Sequence, residues 1–96
     1  MRERLRHRFL RAAGEACRYW QAARPGRAVE FLERALEVDD VAESLYRHLM
    51  LCYAQLGRRA DASETFERCR KILHASIGAE PSAETRALYA EVSRRP

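Results

Sequence analysis

Residues 19–34 read YWQAARPGRAVEFLER and residues 53–68 read YAQLGRRADASETFER. Laid over each other at a spacing of 34 residues, seven of the sixteen pairs are identical: Tyr19/Tyr53, Gln21/Gln55, Arg24/Arg58, Ala28/Ala62, Glu30/Glu64, Glu33/Glu67 and Arg34/Arg68. Apolar residues coincide at this distance in any antiparallel bundle, but the polar matches Gln21/Gln55 and Glu30/Glu64 do not follow from a hydrophobic pattern. A period of this length marks a helical unit that cannot cover its own apolar face and buries it by stacking on the next copy.

The flanking sequence supplies the helices. Leu5, Phe9, Ala12, Ala13, Ala16, Tyr19 and Trp20 recur at three- and four-residue steps, predicting a helix over residues 2–22. Arg24-Pro25-Gly26 is a turn signal, after which Ala28, Phe31, Leu32, Ala35 and Leu36 predict a second helix from Arg27 to residue 38. Asp40 as an N-cap, with Glu43 three residues later, predicts a third helix from Val41 carrying Leu45, Tyr46, Leu49, Met50, Cys52, Tyr53 and Leu56. Gly57 ends it, and a fourth helix over residues 59–76 buries Ala62, Phe66, Cys69, Ile72 and Leu73. Gly78 and Glu80-Pro81 stop that helix, and Ser82 caps a last one carrying Leu88, Tyr89 and Val92.

The period and the small Ala62 followed by Phe66 resemble the tetratricopeptide (TPR) helix pair. The second unit offers Tyr46, Leu49-Met50, Tyr53, Ala62, Phe66 and His74 at the pattern positions; the first offers Ala12, Glu15-Ala16, Tyr19, Ala28, Leu32 and Asp40. Both lack the closing proline. The expected fold is all-α, a TPR-like right-handed superhelix of antiparallel helix pairs with about five helices. One domain over residues 1–96 is expected, divided into a helix pair 2–38, a helix pair 41–76 and a C-terminal capping helix 82–94.

Ninety-six residues form one small domain, with little room for the deep cleft of an enzyme. Hydrophobic residues at 47% and charged residues at 33% describe a folded chain rather than a disordered one. The net charge of +4 favours anionic partners but falls short of a dedicated nucleic-acid binder's basic stripe. Cys17, Cys52 and Cys69 are odd in number and widely spaced, so they indicate neither a disulfide framework nor a zinc site. His7, His48 and His74 show no ligand spacing, and no glycine-rich phosphate loop or nucleophile motif is present. No catalytic residue, cofactor or metal is expected. With no long apolar run, the expected compartment is the cytoplasm and no membrane partner is expected.

A second set of motifs is more specific than the repeat. Arg8-Phe9-Leu10, Leu49-Met50, Gly57-Arg58-Arg59-Ala60-Asp61-Ala62 and Gly78-Ala79-Glu80-Pro81-Ser82-Ala83-Glu84-Thr85 occur in order along the chain. Together they resemble the bacterial transcriptional activation domain of SARP-type regulators. Two departures are Asp39-Asp40 where the family has Asp-Pro, and Ile77 where a leucine precedes the glycine. The resemblance implies a non-catalytic regulatory and protein-interaction domain, read here as the C-terminal TPR-like portion of a larger transcription regulator. Its implied partners are protein: self-association, other domains of the parent regulator, or RNA polymerase, with DNA read by a separate domain. A homodimer is expected because a truncated array exposes the face on which upstream repeats stack. Two alternatives are a free-standing TPR adaptor that binds a peptide, and an accessory domain of a multidomain signalling enzyme or ATPase.

Repeat position places Cys17, Trp20, Arg47, Leu51, Ala54 and Gln55 on the concave side; Trp20, Arg47, Leu51 and Gln55 are the candidate protein-interaction surface. Arg4, Arg8 and Arg11 share one helical face and form the candidate basic surface for an anion or an acidic partner.

Overall fold

The computed structural model describes residues 3–94, with the side chains of all of these except residue 13 and residues 16–22. Five helices occur among the described residues: α1 (Glu3–Ala23), α2 (Pro25–Val38), α3 (Glu43–Gln55), α4 (Arg59–Ile77) and α5 (Ala83–Arg94). The fold is all-helical there and TPR-like. The second helices of the two units begin 34 residues apart, at Pro25 and Arg59.

The turn at residues 24–26 is tighter than the sequence suggests. Pro25 and Gly26 are helical, and Arg24 alone separates α1 from α2. A proline at the first helical position loses no hydrogen bond, because that N–H has no intrahelical acceptor, and its fixed φ is already helical. The predicted cap of α3 is also different. Ala42, not Asp40, precedes the helix, and no side chain caps it. Asp39 instead accepts the Val41 N–H (3.4 Å), while the Asp40 carbonyl accepts the Tyr46 hydroxyl (2.7 Å). Glu43 is drawn away to the start of α5, as described below.

The glycine stops are as expected. Gly57 has φ +74°, with the Arg58 N–H donating to the Tyr53 carbonyl (2.8 Å) and the Gly57 N–H to the Ala54 carbonyl (3.1 Å). This pair of bonds is the Schellman motif. Gly78, at φ +63°, donates to the His74 carbonyl (3.1 Å). Both positions require the left-handed backbone that a β-carbon disfavours.

The core lies between the two helix pairs. Leu32, Leu49, Met50, Cys52, Cys69 and Tyr46 are almost completely buried, and Ala28 and Ala62 each retain 1% exposure. These small repeat-matched residues lie on the buried stripes of the second helices, where they permit close helix packing. Leu5, Phe31 and Leu56 belong to the predicted apolar stripes, yet they are exposed. Phe31 retains 41% exposure, and Leu56 is the residue at which α3 ends.

α3 packs against α1, α2, α4 and α5, and α5 packs against α3 and α4. α1, α3 and α5 therefore stack in sequence as the first helices of successive units. α5 stands where the first helix of a third unit would stand.

Candidate protein-interaction site

The site is built where α5 seats on α3. Thr85 is fully buried and donates its hydroxyl to the Glu43 carboxylate (2.6 Å). The same hydroxyl accepts from the Arg47 guanidinium (2.9 Å). The Ser82 N–H donates to Glu43 (3.0 Å), and the Ser82 hydroxyl accepts the Thr85 N–H (3.3 Å), capping α5 as the sequence predicts. Burial opposes ionisation of Glu43, but the hydrogen bonds from Thr85 and Ser82 and the charge of Arg47 outweigh it. Its carboxyl is held below its ordinary value. The Pro81-Ser82-Ala83-Glu84-Thr85 tail is thus a latch: Pro81 is buried, Ser82 caps, Thr85 joins the two helices and Glu84 approaches Arg47 at 3.7 Å.

Beside the latch, Arg47, His48, Leu51, Glu84 and Leu88 line a cavity of about 310 Å³ between α3 and α5. Two of the predicted surface residues, Arg47 and Leu51, come together here. Both are partly covered, Arg47 through its bonds to α5, and Gln55 lies one turn further along α3 and is exposed. The Trp20 and Cys17 side chains lie outside the described residues. Sequence reasoning missed Glu43, Thr85 and Glu84 as members of this site. Thr85 and Glu84 were present in the tail motif and Glu43 was read as a local capping residue, but nothing in the chain order shows which helix the tail meets.

A second polar cluster joins the units on the other side. Arg68 grips Glu33 with two hydrogen bonds (2.8 and 3.2 Å), and the Tyr53 hydroxyl donates to the same carboxylate (3.2 Å). The Arg68 guanidinium lies 5.8 Å from the Tyr46 ring centroid, and that of Arg58 lies 4.8 Å from Tyr53. Burial pushes the Tyr46 phenol up to about 12 despite the nearby Arg68. Burial and Glu33 likewise raise Tyr53. Glu33 and Arg68 were visible only as repeat matches, and the structure shows that they bind across the repeat. Glu67, the counterpart of Glu33, pairs instead with Arg70 three residues on (2.9 Å).

Arg4, Arg8 and Arg11 are exposed on α1 and make no ion pair among the described residues. Their neighbour Arg6 is partly buried and held by Asp39. Burial pushes the Cys69 thiol up to about 11, which leaves it unreactive at neutral pH. Among the described residues no group of three metal-ligating side chains occurs, and no helix is long and apolar enough to cross a membrane.

Residues 1–93 match the family model described as bacterial transcriptional activator domain. The chain is 31% identical over 93 residues to transcriptional regulatory protein MoaR1 of Mycobacterium bovis (strain BCG / Pasteur 1173P2). It is equally similar to the protein of the same name from Mycobacterium tuberculosis (strain ATCC 25618 / H37Rv). These alignments cover 97% of this chain but 28% of each relative's length. No solved structure matches. With a TPR-like fold, a latch built from the family's tail motif and a match along nearly its whole length, the chain belongs to the bacterial transcriptional activator domain family.

Proposed function

We propose that this chain acts as a non-catalytic regulatory and protein-interaction module within a longer cytoplasmic transcription regulator, while a separate domain reads DNA. The observation that carries the reading is the family match over residues 1–93, joined to relatives named as transcriptional regulators of which this chain spans just over a quarter. The architecture supports it: stacked first helices present a continuous α1–α3–α5 surface, and the buried Thr85 with the partly buried Glu43 and Arg47 docks one helix on another. The partners are other protein surfaces, including other domains of the regulator, a second copy, and RNA polymerase.

The test is to delete the segment corresponding to residues 1–93 from a full-length regulator that contains it. Promoter binding by gel shift and transcription from that promoter are then measured separately. Binding retained with activation lost is the expected result; activation that survives the deletion overturns the proposal.

The cavity under α5 favours a second reading, in which the module holds a peptide segment between α3 and α5. Calorimetric titration with peptides from the regulator's own flanking sequence would decide it, and absence of binding at millimolar peptide removes it.

A further inference from the structure

The outer face of α2 carries Arg27, Glu30, Phe31, Arg34, Glu37 and Val38, all of them exposed. Their spacing puts them on one side of the helix, opposite the buried Ala28, Leu32, Ala35 and Leu36. Phe31 is 41% exposed and Val38 59%, an aromatic and a β-branched residue two turns apart on the same side of the helix. Arg34 is also anomalous. Its repeat counterpart Arg68 is clamped on Glu33, whereas Arg34 makes no ion pair among the described residues.

The charges on this face are complementary to themselves. If a second α2 lies antiparallel, with the two-fold axis at the level of Leu32, then Glu30 of each copy faces Arg34 of the other. The two Phe31 rings come together beside the axis. A parallel arrangement in register sets like charges opposite one another and is disfavoured. We infer that this face pairs two copies of the chain through antiparallel α2–α2 packing, with Phe31 at its centre and Glu30–Arg34 as the repeated ion pair. The inference rests on the interaction-module reading and names the partner and the surface.

Exposed ion pairs each contribute little, so the apolar centre supplies affinity and the charges supply register and orientation. The ring contact is the part that gains most from desolvation.

Charge reversal tests the geometry without touching the core. Sedimentation velocity of the whole chain up to millimolar concentration compares the unaltered protein with Glu30→Arg, Arg34→Glu and the double Glu30→Arg/Arg34→Glu. Circular dichroism checks that each is folded. The unaltered chain is expected to dimerise, each single reversal to weaken association roughly tenfold or more, and the double to restore it. A monomer throughout, single reversals without effect, or a double variant as weak as the singles would each overturn the inference. These outcomes do not decide the module reading, which the deletion experiment judges independently.

Discussion

Thr85 illustrates how a single buried hydroxyl can organise two helices. It donates to Glu43 and accepts from Arg47, so each of its partners is left with an unmet bond when it is removed. Thr85→Val keeps the shape and deletes the hydroxyl, and is expected to cost about 1–3 kcal/mol, measured by urea unfolding. Thr85→Ser should recover most of that loss. Glu43 adds a pH dependence of known sign. Its folded value lies below its ordinary one of 4.5, so the stability it contributes is fully present above the ordinary value and is lost as pH falls through the folded value. Unfolding followed between neutral pH and the acid range should show this loss, and Glu43→Gln should flatten the part of the curve that Glu43 contributes. The tail motif was legible in the chain as a capped helix start. That its threonine faces a glutamate some forty residues earlier was not, because local capping rules say nothing about distant partners.

At the scale of the helix, the repeat-matched alanines set how closely elements approach. Ala62 retains 1% exposure on the buried stripe of α4. Ala62→Leu should force the packed helices apart at a cost of about 1–3 kcal/mol, seen as a lower thermal midpoint. The same substitution at the exposed Ala60 should be close to neutral. Helix existence and order were readable from period and punctuation, since glycine and proline act through local backbone geometry. Start positions were read less well: Pro25 entered the helix instead of preceding it, and Asp40 yielded the cap of α3. Glu43 explains the second case, because a carboxylate that accepts a buried hydroxyl and the Ser82 N–H has stronger reasons to face α5 than to cap its own helix.

The whole molecule is a slab of 40 × 30 × 19 Å, and its smallest dimension is that of two helix layers. One layer is the stacked α1, α3 and α5; the other holds α2 and α4. Neighbouring units depend on each other, so the slab is only as cooperative as its interfaces. Truncation after Gly78 removes the helix that covers α3 and α4 and leaves Glu43 and Arg47 without Thr85. The shortened chain is expected to bind a hydrophobic dye and to lose its sharp thermal transition; an unchanged transition would show that α5 is dispensable to the fold.

The 34-residue repeat by itself determined that this protein stacks helix pairs, since a unit with one uncovered apolar face has no other way to bury it. The ordered motifs from Arg8 to Thr85, the tail most specific among them, carried the family resemblance that the match over residues 1–93 shows. Tertiary structure alone decided how the repeat's polar matches are used. Glu33 and Arg68, both apparently surface residues of equivalent helices, become a clamp between units because stacking brings helices 35 residues apart in sequence within hydrogen-bond reach. It also decided that Phe31, placed by the apolar pattern toward the core, stays exposed: α2 buries Ala28, Leu32, Ala35 and Leu36 against its neighbours, and Phe31 lies at the edge of that stripe.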